Sequence, residues 1–492
     1  MDLIKSTATA PYIFVKSSIS TYAELIERLR YHYSSMIPFP KSWVSLCIFL
    51  MVSPLLFHLL FPLWISLLSV PCFISWTLYL AFAQHQNPNR VKILHIAIPT
   101  IPLSPIRIFQ VNRAFFNYLS KNIYGPPMVI FKTFIWSTWN KKNKQVMSKG
   151  RIAKNINFGS KFKDTTLDVY ESTFENRDHV SYLHSKENHR PVIIFIHGGG
   201  WNSGHKNLYS PIGYNLTQRG FVTVIPNYTL WPKATISEMV ADIDAAIKWT
   251  LRNIRKYGGD ASNITLVGHA AGAHLCMTSV LNYAKRACES HSDHSSAIEK
   301  YAQSHVHKLM GVVLLNGIYD IPQHLNFEKI RGIEELSCMS RLFENKLESF
   351  KYWSPTEILK RSARFIEKGD FQQFIPHNIM LVHAKHDDVV PFESSKLLYD
   401  SLSKMKLENL SLVAYNGTDH YQYLYDLFLA REEFFEHLDR FYRNCRNIKR
   451  YKRWLTVEGL RNPKFVPITF AEFVEGSRTH SSQTSSDSDL LR

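Results

Sequence analysis

Residues 265–274 read Thr265-Leu266-Val267-Gly268-His269-Ala270-Ala271-Gly272-Ala273-His274. An apolar, strand-forming run enters a Gly-x-x-x-Gly turn and continues into residues that favour a helix, which is the pattern of a nucleophile elbow. An elbow holds its central residue at a strained backbone angle, and Gly268 and Gly272 would leave room for strand and helix to close around it. The central residue here is Ala270, whose methyl group cannot attack a carbonyl carbon.

Three further features support the elbow, because Gly-x-x-x-Gly alone is more often a helix contact or a turn. Upstream, the buried-strand run 191–196 is followed by His197-Gly198-Gly199-Gly200-Trp201, a pattern typical of the loop that completes an oxyanion hole. Downstream come Asp387 and then His420, in the chain order of nucleophile, acid and histidine. Four features in this order predict a site built for ester chemistry.

Such a site needs a nucleophile, a base, an acid that orients the base, and donors for the oxyanion. We expect position 270 to hold the nucleophile's place, His420 to be the base and Asp387 the orienting acid. The backbone N–H groups of Gly199, Gly200 and Ala271 would form the oxyanion hole, each contributing about 3 to 4 kcal/mol to transition-state stabilisation.

Two alternatives for these side chains stay open at the level of sequence. Asp388 competes with Asp387 for the role of the acid. His383, His386 and Asp387 could instead bind a metal ion, although ligands spaced from a strand into a loop are weak evidence for one. We therefore expect neither a metal nor another cofactor.

The part of the chain from 164 to 446 predicts an α/β fold with a doubly wound, mainly parallel sheet. Between the apolar runs lie amphipathic stretches such as 237–257, with apolar residues at helical spacing. Residues 327–374 are long for a crossover and could form a lid. The predicted buried strands are Val192–Ile196, Val222–Ile225, Ile264–Val267, Val312–Leu315, Ile379–Val382 and Leu410–Val413.

The N-terminal region predicts a membrane anchor. After residues 1–42, the run 43–83 is almost entirely apolar and carries no charged side chain. It is too long for one span of about 20 residues and suits two short ones, with Pro62 as the break between them. We therefore predict a transmembrane helical hairpin, since a buried hairpin in a soluble core would rarely be so long.

The next segment, 84–163, contains no Asp or Glu and fourteen Lys and Arg residues, and so holds most of the formal charge of +17. Cations and aromatic side chains alternate along it, which favours a surface that lies on an anionic lipid leaflet, at about 1 kcal/mol per cation. Because segments rich in Lys and Arg that flank a membrane span stay in the cytosol, we expect both ends of the hairpin there. Nucleic acid is the rival partner, but no nucleic-acid motif accompanies the patch, so we expect none.

The C-terminal extension, 447–492, ends in a polar tail from 476 that is rich in Ser, Thr and Asp and is predicted to be disordered. The six cysteines are scattered without the spacing of a metal site or a disulfide framework.

The segment from about Lys163 to Arg443 resembles the α/β-hydrolase carboxylesterases, and within them the membrane-bound prenylcysteine methylesterases and the related arylformamidase-like esterases. The resemblance implies the α/β-hydrolase fold, hydrolysis of carboxylic esters, an acyl or prenyl ester ligand, and the endoplasmic reticulum membrane with the hydrolase domain in the cytosol. The matching residues are His197 to Trp201, Asn227-Tyr228, Tyr257 to Asp260, Gly268 to His274, Asp387 and His420.

Enzymes of that group carry Gly-x-Ser-x-Gly at the elbow, so this chain departs from the pattern at Ala270. Two hypotheses follow. In the first, which we favour, the chain is a pseudoenzyme that retains a lipid-like ligand or a protein partner. In the second, it is a serine carboxylesterase acting on membrane-derived or prenylcysteine methyl esters, and Ala270 is an introduced replacement of the catalytic serine.

Overall fold

The computed structural model describes residues 63–82, 104–122, 152–172, 189–292, 308–405, 407–416 and 420–445, except 431 and 433, together with Pro102. The chain divides into two compact units. The N-terminal unit consists of residues 1–144 and 329–337, and the sheet unit of residues 145–328 and 338–492. The predicted segments 1–42 and 447–492 lie outside the described residues.

Within the described residues, eight strands form one sheet in the order β1-β2-β4-β3-β5-β6-β7-β8. Two pairs of neighbouring strands, β1 with β2 and β2 with β4, are antiparallel, and all other pairs are parallel. The mainly parallel sheet is thus confirmed, and the six predicted strands are β3 to β8. The strands are β1 (Ile152–Asn157), β2 (Thr166–Tyr170), β3 (Arg190–Ile196), β4 (Val222–Pro226), β5 (Gly259–His269), β6 (Gly311–Leu315), β7 (Asn378–Ala384) and β8 (Asn409–Tyr415).

The antiparallel pair β1 and β2 was not predicted. Strand β1 reads Ile-Ala-Lys-Asn-Ile-Asn and is only partly buried, so it lacks the apolar run by which the inner strands are recognised. The sheet therefore begins at Ile152, inside the segment 84–163 that was predicted to lie against the membrane and before the predicted domain start at 164.

Helices cover both faces of the sheet, and the core is divided accordingly. In β3, Val192, Ile194 and Ile196 face one apolar cluster, and Ile193 and Phe195 face the other. Because both faces are covered, the strand is apolar at every inner position.

The helices in chain order are α1 (Leu63–Phe82), α2 (Pro105–Asn122), α3 (Ser210–Gln218), α4 (Ile236–Asn253), α5 (Ala271–Ser292), α6 (Ile321–Arg331), α7 (Met339–Leu342), α8 (Leu347–Trp353), α9 (Pro355–Arg361), α10 (Ala363–Lys368), α11 (Phe392–Ser403) and α12 (Gln422–Leu429). Residues 434–445 are also helical. Five of these helices, α6 to α10, fill the long crossover between β6 and β7, where a helical lid was predicted over 327–374. Residues 329–337 of this crossover belong to the N-terminal unit.

In the N-terminal unit, α1 packs against α2 through buried polar contacts. Asn112 Nδ2 donates to the Pro71 carbonyl oxygen at 2.8 Å and to Ser75 Oγ at 2.7 Å, and Trp76 Nε1 donates to the Pro102 carbonyl oxygen at 3.0 Å. No helix in the described part of the chain is both long and apolar enough to cross a membrane, so the predicted hairpin is not supported there. Its first part, 43–62, lies outside the described residues.

Candidate active site

The elbow lies where β5 ends at His269 and α5 begins at Ala271. Between them Ala270 has a φ of 50°, in the left-handed region that residues with a Cβ seldom adopt. Its N–H donates to the Leu315 carbonyl oxygen at 2.9 Å, and its own carbonyl oxygen accepts from the His274 N–H at 3.1 Å. The strained turn of an elbow is therefore formed although its central residue is alanine.

Both glycines of the elbow are required by close contacts. A Cβ at Gly272 would lie 2.4 Å from the carbonyl oxygens of Ile196 and His197, so glycine allows the first turn of α5 to contact the end of β3. A Cβ at Gly268 would lie 2.7 Å from the Cα of Ala273. Distances below 3 Å are not sustained between such atoms, so the spacing of the two glycines fixes the turn.

The acid and the base meet beside the elbow. His420 Nδ1 lies 2.7 Å from Asp387 Oδ2, and both side chains are buried. The other carboxylate oxygen, Asp387 Oδ1, accepts the backbone N–H groups of Val389 at 2.8 Å and Val390 at 2.9 Å. These two N–H groups hold one oxygen of the carboxylate, while the other oxygen is hydrogen-bonded to His420.

The loop that carries the predicted oxyanion donors runs beside the elbow. A Cβ at Gly198 would lie 3.1 Å from the Cβ of Ala270, which brings the loop next to the nucleophile position. The Gly199 carbonyl oxygen accepts from Ser203 Oγ at 2.7 Å and from the Ser203 N–H at 3.0 Å, so the loop is closed on itself. Ala271 is the first residue of α5, and the N–H groups of a first helical turn have no partner within the helix.

Part of this site lies in a segment that is similar to known proteins. The BD-FAE family model matches residues 180–402, which include the oxyanion loop, the elbow and Asp387. A probable isoprenylcysteine alpha-carbonyl methylesterase of Arabidopsis thaliana is 30% identical over 255 residues, covering 51% of this chain and 56% of that protein. A second isoprenylcysteine alpha-carbonyl methylesterase from the same plant is 29% identical over 53% of this chain and 56% of its own length.

These matches support an α/β-hydrolase carboxylesterase family for the chain. It spans about half the length of these curated relatives, so their named activities are not transferred with the family. A kynurenine formamidase of Drosophila melanogaster is 24% identical over 49% of this chain and 70% of its own. Among solved structures, esterase B from Lactobacillus rhamnosis has a TM-score of 0.46 and 15% identity, over 66% of this chain and 96% of that one.

The site has a second layer of contacts that the sequence did not indicate. Asn316 Nδ2 donates to the His420 carbonyl oxygen at 2.7 Å, while Asn316 Oδ1 accepts the Ala384 N–H at 3.0 Å. His269 Nε2 lies 3.3 Å from the same His420 carbonyl oxygen. Asn316 follows β6, so one amide joins the loop of the base to the end of β7. A lone Asn after a strand gave no signal for this role.

His383 is the second histidine beside the acid. Its Nε2 lies 3.5 Å from Asp387 Oδ2 and 3.0 Å from the Val390 carbonyl oxygen, and its Nδ1 lies 2.7 Å from Ser395 Oγ. Burial alone would raise the pKa of Asp387, but attraction to His420 and hydrogen bonds from His383 and His420 hold that pKa well below its usual range. These interactions therefore favour the carboxylate form of the acid.

The alternative of a metal site is not supported by the same residues. His383 is fully buried beside Asp387, whereas His386 is exposed. No group of three or more His, Cys, Asp or Glu side chains in the described ranges is arranged to hold a metal ion.

The crossover contacts the oxyanion loop from outside. Cys338 Sγ donates to the Gly200 carbonyl oxygen at 3.0 Å. Trp201 packs edge-on against Phe343, and Trp201 Nε1 donates to His274 Nδ1 at 3.3 Å. His274 Nε2 in turn donates to the Trp353 carbonyl oxygen at 2.9 Å. Helix α5, the oxyanion loop and the crossover are thus joined by contacts through His274, a residue to which the sequence assigned no function.

Proposed function

We propose that this protein is a carboxylesterase homologue that binds an ester in the family site without forming an acyl-enzyme. One observation carries the proposal. Ala270 occupies the strained central position of the elbow while Asp387 and His420 keep a 2.7 Å hydrogen bond beside it. The base and its orienting acid are paired, but no hydroxyl is present at position 270 to give up a proton.

The ligand we propose is an ester with an acyl or prenyl chain. Two curated relatives are named isoprenylcysteine alpha-carbonyl methylesterases, and their similarity covers about half of this chain. Bound in the family orientation, the ester carbonyl oxygen would receive hydrogen bonds from the N–H groups of Gly199, Gly200 and Ala271. The alternative, an active serine carboxylesterase, requires serine at position 270.

We further propose that the chain is attached to a membrane, with the sheet unit in the cytosol and the endoplasmic reticulum as the first location to examine. Support comes from the uncharged run 43–83 and the acid-free, basic segment that follows it. The anionic lipid surface would be its second partner, and we propose no contact with nucleic acid.

The central test restores the hydroxyl. In Ala270→Ser, His420 would take the proton of the serine hydroxyl, the serine oxygen would attack the ester carbonyl carbon, and the proton would pass to the departing alcohol. Water would then cleave the acyl-enzyme by the same steps. We expect p-nitrophenyl ester turnover to rise by about 10²-fold or more and covalent labelling by a fluorophosphonate to appear.

Two controls make the result interpretable. Ala270→Ser combined with His420→Ala should lose labelling, because the serine would have no base. The unmodified protein should show no labelling, and its ester hydrolysis should not exceed roughly 10³ to 10⁴-fold over water, which oxyanion hole and binding supply alone. Strong labelling of the unmodified protein would refute the assignment of position 270.

Ligand class is tested in the same serine variant. A prenylcysteine methyl ester should slow fluorophosphonate labelling in proportion to its concentration, while the matching free acid and a short alkyl ester should compete more weakly. Equal competition by all three would show that the site does not select a prenyl ester.

A further inference from the structure

The N-terminal unit exposes an unusual share of large apolar side chains. Nine such side chains are exposed among the described residues, and five of them belong to this small unit. Three of the five, Ile106, Phe109 and Phe116, lie on helix α2 and are 71%, 66% and 51% exposed. The other two are Val70 on α1 and Ile330 near the end of α6.

The exposed residues of α2 share one face. Ile106, Phe109, Arg113 and Phe116 are separated by three, four and three residues, which places them in one row along an α-helix. Val111, on the opposite face, is buried, and so is Asn112, which donates to Ser75 Oγ and the Pro71 carbonyl oxygen of α1. The outer face of α2, defined by these four residues, is therefore directed away from its own unit.

Contacts within the unit fix the orientation of this face. Arg107, next to Ile106, forms two 2.8 Å hydrogen bonds with the two carboxylate oxygens of Glu334. Gln110 Nε2, next to Phe109, donates to the Ile330 carbonyl oxygen at 3.1 Å. Residues 329–337 thereby hold the flank of α2, and the apolar row cannot turn inward without breaking a paired carboxylate and guanidinium.

We propose that the outer face of α2 inserts into the headgroup region of an anionic lipid leaflet. The positive charge around α2 favours an anionic lipid surface as the partner. Segment 84–163, which contains α2, carries fourteen cations and no acid, and Arg113 lies within the apolar row itself. An exposed row of Ile and Phe beside cations is the pattern of a helix that lies in the plane of a membrane interface. The proposal rests on the proposed membrane attachment and adds which side chains contact lipid.

The test uses the full chain with a polarity-sensitive fluorophore attached at Phe109→Cys or, separately, at Phe116→Cys. Cys47→Ser and Cys72→Ser remove the two cysteines not buried in the sheet unit, where Cys276, Cys288, Cys338 and Cys445 are buried. The matched control carries the label at Leu208→Cys, a sheet-unit side chain that is 65% exposed, close to the 66% of Phe109. Each protein is reconstituted into phosphatidylcholine vesicles with or without phosphatidylserine.

We expect labels at 109 and 116 to shift to the blue and to be quenched by brominated acyl chains when phosphatidylserine is present. The label at 208 should stay in water. Arg113→Glu should reduce the quenching at 109, and added salt should reduce it as well, because exposed charges are screened over about 10 Å at 0.1 M.

The outcomes separate this inference from the proposed attachment. If the protein floats with the vesicles but labels at 109 and 116 remain in water, the docking face is refuted and the attachment stands. If the protein does not float with either lipid mixture, the attachment fails and the docking face fails with it. Quenching that ignores phosphatidylserine would refute the anionic leaflet as the partner. A blue shift without lipid, accompanied by dimer formation, would assign the face to a second copy of the chain.

Discussion

At residue 270 the elbow has its strained backbone conformation with alanine at its centre. The left-handed backbone of an alanine costs roughly 1 to 2 kcal/mol, and nothing that alanine does chemically repays that cost. The conformation is imposed by neighbours: the Leu315 carbonyl oxygen accepts the Ala270 N–H, and Gly272 fits against the end of β3. The backbone geometry of the site is therefore independent of the side chain that would perform catalysis.

Three buried histidines predict how stability depends on pH. Burial lowers the pKa of His197 and of His274 to about 4 and that of His269 to about 3. Below the ordinary value of 6.5, the unfolded chain takes up protons that these folded side chains do not accept. Stability should therefore fall as pH drops from 6.5 toward 4, by about 1.4 kcal/mol per pH unit for each histidine.

The measurement is the denaturant midpoint of the detergent-solubilised protein at pH 7.5, 6 and 5. His274→Gln removes one titrating group but can keep a hydrogen bond to the Trp353 carbonyl oxygen, so its stability should decline less steeply between pH 6.5 and 4. An unchanged slope in this variant would mean that His274 already carries a proton in the folded protein, contrary to its lowered pKa.

At the scale of elements, the antiparallel edge of the sheet is held by a buried ion pair. Lys206, the first residue of a short 3-10 helix after β3, pairs through Nζ with Asp168 Oδ1 of β2, and both side chains are buried. Lys206 Nζ also donates to Asn155 Oδ1 at 2.7 Å, and Asp168 Oδ1 accepts the Asn155 N–H at 2.8 Å. Asn155 has a φ of 56° at an irregularity of β1, so the pair stabilises the strand where its pairing is interrupted.

Lys206→Met should be strongly destabilising, by about 3 to 5 kcal/mol, because it leaves Asp168 charged, buried and unpaired. Adding Asp168→Leu should recover much of the loss. The exposed pair of Lys233 and Asp164, 55% and 88% exposed, provides the control. Lys233→Met should change the unfolding free energy by less than about 1 kcal/mol. Similar losses for the two lysine variants would show that the Lys206 pair is not desolvated.

At the scale of the whole molecule, the cations that flank the run 43–83 predict a cytosolic sheet unit. Its glycosylation sequons at Asn215, Asn227, Asn263, Asn409 and Asn416 should then be unmodified. Asn215 Nδ2 donates to the carbonyl oxygens of Leu427 and Phe428, so this amide is engaged in either topology. Asn416 is exposed and is the informative position.

The expected outcome is no mass change when the native protein is treated with a glycosidase, together with digestion of the sheet unit by protease added to intact microsomes. Sugar on Asn416, or protection of the sheet unit until detergent is added, would place it in the lumen and contradict the topology.

The sequence determined the sheet and the approximate position of the site. Six strands and the elbow were predicted because each has a local pattern: an apolar run, or two glycines four residues apart. The chain order of elbow, Asp387 and His420 was sufficient to predict that the acid and the base lie at the same edge of a parallel sheet. Strand β1 was missed because its sequence, Ile-Ala-Lys-Asn-Ile-Asn, contains no apolar run.

Tertiary structure decided what depends on residues far apart in the chain. The choice between Asp387 and Asp388 depended on such partners. The N–H groups of Val389 and Val390 fix the direction of the Asp387 carboxylate. Asn316 became a support of His420 because β6 and β7 are neighbours, although 104 residues separate the two. The outer apolar face of α2 could be recognised only from the structure, because the packing of α2 against α1 decides which of its side chains are exposed. Local periodicity specifies strands and turns, whereas the direction of a side chain in a loop is set by partners that the fold supplies.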